Sequence, residues 1–552
     1  MDPTDAGRRR AWEAGLVLML ILGVYYGALQ NGQWGPVSDA DLYVPIARSL
    51  ALGHGFTFNS SAVQAIPPGW PLLLAGAMRL STSFWLLNIF QMCLMLAALL
   101  LSYRILLRLT TVPRAFVVCL TAGILSPVYH GTFLLCSESL FCLTGAAAVL
   151  VALQVSEGRD ARWRIPVVLV LTAATILVRW AGILFCPVII GALMCGRLKP
   201  AWNKFWLSAV LTGLVALGTF YGARYELDHM SLSGPGNPDA ATYAANEHPI
   251  VRDLRGFVRR LPKSGVWFCN LLAEEGAVGA SLKQVRTAAF VIGWGLLALL
   301  LAGMVPFVRK FNWVMPGAFA YSVGFFGIWD NPLPRYLVPV APFLILGILN
   351  GIDLLGKVGR APAWRRLSLV AMVGLFVGIA VCNLSLYAVD VCILHSDDVY
   401  GNYLAGQAKP LIAIAEYMKK NDVKDGEVVR AFVTRDKQGV SPTMGRLLDI
   451  RGLFLLINRT ILTLPRDMVD GPPNAEVTKW AVDRGARFYI ENPPINPWRV
   501  WHFRVPWLQK LVTGRPVGAT NPYYVLYELR GGQFRQVRVP DWNGRIDRIP
   551  CM

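Results

Sequence analysis

The chain has 552 residues, of which 55% are hydrophobic and 16% charged, and its formal net charge is +19. A composition this apolar excludes an ordinary soluble globule. The positive charge does not indicate a nucleic-acid partner, because the Lys and Arg residues cluster in short loops beside hydrophobic stretches. Such clustering is typical of membrane topology and of contacts with anionic lipid headgroups.

The first hydrophobic spans define a topology. Stretches long enough to cross the hydrocarbon core are predicted at about 13–30 and about 83–107. The arginines at 8–10 precede the first span and are predicted to hold the N-terminus in the cytoplasm. The segment 31–81 between the two spans is therefore predicted to be an outer loop.

Two longer apolar stretches are predicted to be hairpins, because basic residues flank both ends of each. The first covers about 115–154, is broken by Ser-Pro at 126–127, and carries Glu138 near its outer turn. The second covers about 165–195, and Arg179 is predicted near its outer turn.

The remaining spans complete a polytopic α-helical membrane protein. They are predicted at about 203–222, 287–308, 313–328, 337–355 and 367–388, which makes about eleven membrane helices in all. The loop 223–285 follows the seventh span, and the C-terminal region follows the eleventh. Because both numbers are odd and the N-terminus is predicted inside, both segments are predicted to lie outside.

The sequence changes character from about residue 390. Apolar runs shorten to strand length and alternate with helical patterns such as LIAIAEYMKK, which favours a small α/β domain. We therefore predict a membrane domain at 1–390 and an extracytoplasmic α/β domain at 391–552.

The first outer loop contains the strongest functional signal, SDADLYVPIARSLALGHGFTFNSSAVQAIPPGWP at 38–71. It places Asp39 and Asp41 before a short amphipathic helix that carries Tyr43, and a Pro-Pro-Gly turn is predicted at its end. Ionisable groups held at a membrane are usually functional or paired. Asp39 is of the right type for a base that accepts a proton from a hydroxyl. The alternative is that the two aspartates only form a turn or cap the helix.

Three charged residues elsewhere are predicted at the same outer level. Glu138 and Arg179 interrupt apolar helices, and one interpretation is a structural ion pair. In the functional interpretation Glu138 is a second acid in an active cleft, and Arg179 tunes the carboxylates or binds a phosphate of the substrate. Arg335, followed by Tyr336 at an outer helix start, suits a phosphate because its planar donors match the oxygens. The alternative for Arg335 is a side chain that reaches the lipid headgroups.

Several of these motifs together resemble the GT-C glycosyltransferases, and most closely the bacterial branch related to protein O-mannosyltransferases and the lipid A aminoarabinose transferase. The resemblance is carried by Asp39 with Tyr43 four residues later, followed by ARSL and PPGWP. SESLF around Glu138, LVRWAG around Arg179 and PRYLVPVAP around Arg335 follow in the expected order.

The resemblance implies inverting transfer of a sugar from a polyprenyl-phosphate-linked donor to a lipid, glycan or protein acceptor at the outer membrane face. Asp39 would be the base, with Asp41 and Glu138 as further acids. Tyr43 would support the donor site, and Arg335 with Tyr336 would contact the donor phosphate. No cofactor is implied, although Asp39 and Asp41 can also be read as sharing a divalent cation. The rival functions are a transporter or lipid flippase, and an inactive scaffold.

Overall fold

The architecture is taken from a computed structural model of the chain. It describes residues 3–32, 40–58, 61–62, 66–158, 161–195, 210–215, 217–219, 283–309, 312–328, 334–358, 362–395, 408–430, 461–463, 473–491 and 525–537. The predicted loop 223–285 and part of the predicted span 203–222 lie outside these ranges.

The membrane region is a bundle of α-helices. In chain order they are α1 (Pro3–Gly27), α2 (Ala40–Ala51), α3 (Gly69–Leu80), α4 (Phe84–Leu106), α5 (Val112–Ile124), α6 (Ser126–His130), α7 (Glu138–Ser156), α8 (Ala161–Val178), α9 (Gly182–Leu193), α10 (Lys283–Arg309), α11 (Val314–Ile328), the 3-10 helix Pro334–Val340, α12 (Ala341–Val358) and α13 (Pro362–His395). Among the described residues, five helical stretches are long and apolar enough to cross a membrane. The total number of spans stays a prediction.

The two predicted hairpins are present. The first consists of α5 and α7, with the short helix α6 in the connection between them. The second consists of α8 and α9, and Arg179 lies directly after the end of α8. The starts of α4, α7 and the 3-10 helix lie at one end of the bundle, because Gln91 of α4 hydrogen-bonds to the segment before α7 and Arg335 of the 3-10 helix lies beside Glu138. We call it the Glu138 end.

Ion pairs mark the opposite end of the bundle. Arg108 pairs with Glu157 at 2.6 Å, and Arg114 pairs with Asp353 at 2.6 Å. These residues lie in or beside the basic turns that the charge pattern assigns to the cytoplasm. Which face of the membrane each end occupies stays a prediction.

The first loop contains more structure than its sequence indicated. The predicted amphipathic helix is present as α2, and a two-stranded hairpin, β1 (Thr57–Phe58) and β2 (Ser61–Ala62), follows it. A second helix, α3, begins at Gly69, directly after Pro67 and Pro68, where the sequence predicted only a turn. Proline is well tolerated at a helix N-terminus because the first amide groups have no partner inside the helix.

Glycine residues allow α10 and α12 to pack closely. A methyl group placed on Gly303 would overlap the carbonyl oxygen of Gly347, and one placed on Gly351 would overlap that of Leu299. Small residues at four-residue spacing, here Gly347 and Gly351, bring helix backbones together where no hydrophobic effect drives association. This contact fixes the position of α12 against α10, and therefore also the position of the 3-10 helix that directly precedes α12.

Replacing Gly351 by valine is expected to lower the unfolding temperature of the purified protein. The new side chain meets backbone, which cannot move aside, and overpacking of this kind typically costs about 1–3 kcal/mol. Gly374→Val is the matched control, because a side-chain carbon added at Gly374 on α13 would meet no heavy atom of the described residues within 4 Å. Equal unfolding temperatures in detergent for the two variants would contradict this packing.

The described residues after 408 form a mixed sheet with two helices. The helices are α14 (Ala408–Lys420) and α15 (Ala475–Val482), and the strands are β3 (Val428–Arg430), β4 (Ile461–Thr463), β5 (Phe488–Glu491), β6 (Val525–Arg530) and β7 (Gln533–Val537). The strand order is β4-β3-β5-β6-β7, in which β3 runs parallel to β4 and β5 and the other pairs are antiparallel.

Alternation along the strands gives this sheet a hydrophobic core on both faces. Val429 and Tyr489 are buried in one cluster with residues of α15. Their neighbours Val428 and Phe488 are buried in another cluster with residues of α14, because successive side chains of a strand point to opposite faces. The second cluster also contains buried residues of α2 and α3. The domain boundary at about 390 and its outer placement stay predictions.

Candidate functional site

Glu138 is the first residue of α7 and is only 3% exposed. A carboxylate is favoured at a helix N-terminus, where the unpaired amide groups and the helix dipole carry partial positive charge. Its neighbours Ser137 and Ser139 are also buried, and the Ser139 hydroxyl donates to the Gly131 carbonyl at 2.6 Å. The segment before α7 is therefore held to the start of the helix.

Arg179 lies in the tight turn between α8 and α9 and is 8% exposed. Its amide donates to the Thr175 carbonyl at 3.2 Å, and its own carbonyl accepts from the Gly182 amide at 2.7 Å. The backbone of Arg179 thus closes one helix and opens the next. Its side chain extends across the bundle to α7.

Arg335 and Tyr336 lie on the 3-10 helix Pro334–Val340. Two prolines in this seven-residue segment remove amide donors and fix the backbone angle, which disfavours a regular α-helix there. The segment packs against α6, α7 and α11. Residues that are far from Glu138 in the sequence are therefore brought directly beside it.

One carboxylate joins the two arginines. Arg179 Nη1 lies 2.8 Å from Glu138 Oε1, and Arg335 Nε lies 3.5 Å from the same oxygen. All three side chains are at least four-fifths buried. Removing one partner of such a buried pair typically costs about 3–5 kcal/mol, because the remaining charge has lost both water and partner. The two guanidinium groups and one carboxylate sum to a formal charge of +1, which suits an anionic ligand.

The aromatic ring of Tyr336 contacts both guanidinium groups. Its ring centroid lies 4.4 Å from Arg179 Cζ and 5.3 Å from Arg335 Cζ, within the range of cation–π attraction. Phe325 of α11 packs on the same ring with a centroid distance of 4.4 Å, and Tyr321 donates to the Tyr336 carbonyl at 2.7 Å. The positions of the arginines are therefore defined by packing as well as by charge.

Helices α2 and α3 pack against the segment that leads to Glu138. The Tyr43 hydroxyl lies 3.3 Å from the Ser137 hydroxyl, and Trp70 Nε1 donates to the Leu135 carbonyl at 2.9 Å. Gly69 lets α3 also approach the end of α8, directly before Arg179, because a side chain on Gly69 would meet the backbone of Val178 at 2.9 Å. Tyr43, Glu138, Arg179, Arg335 and Tyr336 thus form one connected group at the Glu138 end.

The side chains of the two aspartates of the first loop are not among those that the structure describes. Asp39 and the side chain of Asp41 lie outside the described residues, although α2 begins at the intervening Ala40, which is buried. Within the described ranges no three His, Cys, Asp or Glu side chains are grouped to hold a metal ion. The role of Asp39 as a base and a cation shared with Asp41 stay predictions.

Several further buried polar residues were not predicted from the sequence. Asn88 and Gln91 lie on one face of α4, and Gln91 Nε2 donates to the Gly131 carbonyl at 2.6 Å. Arg48 of α2 is only 2% exposed. Tyr129, His130 and Asp390 form a separate hydrogen-bonded set. A polar residue inside an apolar helical run could have indicated some of them. Such runs are FWLLNIFQM, which contains Asn88 and Gln91, and SLYAVDVCIL, which contains Asp390.

Comparison with known proteins gives matches in structure. Neither a protein-family model nor a curated protein sequence matches this chain. The fold is similar to the crystal structure of ArnT from Cupriavidus metallidurans in the apo state, with 13% sequence identity, coverage of 93% of this chain and 97% of that chain, and a TM-score of 0.52. It is also similar to the archaeal oligosaccharyltransferase AglB from Archaeoglobus fulgidus in complex with an inhibitory peptide and a dolichol-phosphate.

For AglB the identity is 11%, the coverage is 87% of this chain and 69% of that chain, and the TM-score is 0.52. Identities this low establish a shared fold. ArnT and AglB are both GT-C glycosyltransferases. Together with the apolar helices, the shared fold identifies a multi-pass membrane protein. The chain therefore has the GT-C fold that its sequence motifs resemble.

Proposed function

We propose that the chain is an inverting glycosyltransferase that moves a sugar from a polyprenyl-phosphate-linked donor to an acceptor at the outer face of the membrane. The observation that carries the proposal is the convergence of Arg179 and Arg335 on Glu138, at one end of a GT-C bundle. The AglB structure with this fold contains a dolichol-phosphate, which is itself a polyprenyl phosphate.

The chemistry requires a base and a stabilised leaving group. In our proposal Asp39 accepts the proton of the acceptor hydroxyl, whose oxygen attacks the anomeric carbon of the sugar. The bond from that carbon to the phosphate oxygen breaks, and its electron pair leaves with the polyprenyl phosphate. Attack opposite to the leaving group inverts the anomeric configuration.

The arginines would stabilise the charge that develops on the leaving phosphate. Fixed positive groups in a poorly hydrated site interact more strongly with such charge than they would in water. Glu138 would act by orienting Arg179 and Arg335, since it lies within ion-pair distance of both. Tyr336 would limit how far the guanidinium groups can rotate. Tyr43 would contact the donor from α2.

Two measurements together test the proposal. Cells that lack the chain are expected to accumulate one lipid-linked sugar, which mass spectrometry of a lipid extract identifies. Purified protein given that lipid and an envelope extract is then expected to release polyprenyl phosphate and to transfer the sugar.

A flippase or transporter predicts a different result. Such a protein would move the intact lipid-linked sugar across a proteoliposome membrane without releasing polyprenyl phosphate. That result, or an unchanged set of lipid-linked sugars in the deletion strain, would overturn the proposed function.

A further inference from the structure

A second buried polar group lies on α13, away from the arginines. Asp390 is 8% exposed and follows the candidate span Ala363–Ala388 of this helix. Its Oδ2 accepts a hydrogen bond from the Tyr129 hydroxyl at 2.7 Å and lies 3.1 Å from His130 Nε2. A carboxylate at this depth is costly unless it is paired, and here one oxygen contacts two residues of α6.

The same helix also holds the other end of α6. Asn383 is fully buried, and its Oδ1 accepts from the Ser126 amide, the first residue of α6, at 2.8 Å. Asn383 and Asp390 are two helical turns apart and therefore lie on one face of α13. Between them, Tyr387 stacks on Tyr25 of α1 with a centroid distance of 3.8 Å. We call Asn383 and Asp390 the α13 clamp.

The clamp holds α6, which connects both to Arg335 and to Glu138. Helix α6 packs against the 3-10 helix that carries Arg335 and Tyr336. The segment that follows α6 also leads to Glu138: a side chain on Gly131 would lie 3.6 Å from Glu138 Cβ. A shift of α6 would therefore change the distance between Glu138 and Arg335.

We infer that Asn383 and Asp390 are positioning residues, which act through Ser126, Tyr129 and His130 to set the geometry of the Glu138–Arg335 pair. This inference deepens the proposed function and rests on it. Small misplacement of catalytic groups is enough to matter, because a displacement of about 1 Å can lower a rate about a hundredfold. The clamp lies on a helix that carries none of the residues assigned to the donor site.

The test compares two aspartate variants of the full-length protein. Asp390→Leu removes the acceptor for Tyr129 and His130, and is expected to lower kcat per folded molecule at least tenfold. Asp390→Asn keeps an oxygen for the Tyr129 hydroxyl and is expected to recover most of that loss. The matched control is Asp353→Leu, which breaks the ion pair with Arg114 at the opposite end of the bundle. It is expected to lower the unfolding temperature and to leave kcat unchanged.

Two outcomes would overturn the inference. The first is wild-type kcat per folded molecule in Asp390→Leu, with only a loss of stability. The second outcome is measured without turnover, as the unfolding temperatures of Asp390→Leu, Arg335→Ala and the double variant. The shift in the double variant is expected to differ from the sum of the two single shifts. Additive shifts would show that the clamp and the Glu138–Arg335 pair are independent. If the wild-type protein transfers no sugar, the proposed function fails, and this coupling alone decides the inference.

Discussion

Replacing Asp39 by asparagine is expected to abolish sugar transfer while the protein still folds and binds its donor. Asparagine has nearly the same shape as aspartate but cannot accept the proton of the acceptor hydroxyl. A general base typically contributes about a hundredfold to ten-thousandfold to the rate, so kcat should fall by about that factor. The measurement is the release of polyprenyl phosphate under saturating donor.

Asp41→Asn is the comparison that separates catalysis from stabilisation of the start of α2. Asp41 lies in α2 itself, two residues along the chain from Asp39. If the only task of Asp41, in the first turn of α2, is to stabilise the helix start through its negative charge, replacement by asparagine should cost less than about 2 kcal/mol of stability and leave kcat within about tenfold of wild type. Wild-type turnover in Asp39→Asn would remove Asp39 from the mechanism, and loss of turnover in Asp41→Asn alone would assign the base to Asp41.

Replacing Arg335 by alanine is expected to have the second largest effect. It removes one of the two cations beside Glu138 and with it a donor for the leaving phosphate. By analogy with the loss of one oxyanion-hole donor, the barrier should rise by about 3 kcal/mol, which is a loss of about a hundredfold or more in kcat. Initial rates over a range of donor concentrations give kcat and KM for the donor.

Two further variants define what Arg335 contributes. Arg335→Lys keeps the charge but loses the planar fork, so it should recover only part of the rate if the fork binds the phosphate. Arg108→Ala breaks another Arg–Glu pair, with Glu157 at the opposite end of the bundle, and should leave kcat and KM unchanged. Unchanged kcat and KM in Arg335→Ala would move the phosphate site elsewhere.

Glu138 and Arg179 could be identified from the sequence because each differs in polarity from the residues on both sides of it. Glu138 and Arg179 interrupt apolar runs, and an ionisable residue in such a run has few explanations. Their mutual ion pair, one of the two alternatives for these residues, is present in the structure at 2.8 Å. In the proposed function the same pair orients Arg179 toward the donor phosphate.

Other features depended on contacts that no local pattern indicates. Asp390 and His130 are 260 positions apart, and their pairing follows from the way α13 packs beside α6. Helix α3 was not predicted, because the Pro-Pro-Gly at its start is as typical of a turn as of a helix N-terminus. Likewise, the 3-10 form of Pro334–Val340 reflects its two prolines together with packing against α7 and α11.

The sequence by itself determined the membrane class, the two hairpins and the identity of the charged residues near their turns. These properties are local: the thickness of hydrocarbon sets the length of an apolar run, and basic residues at its ends set the direction of the chain. Only the tertiary structure decided that Arg179 and Arg335 share Glu138 and that Tyr336 supports both. Such convergence depends on which helices pack side by side, and close packing is a property of the whole bundle.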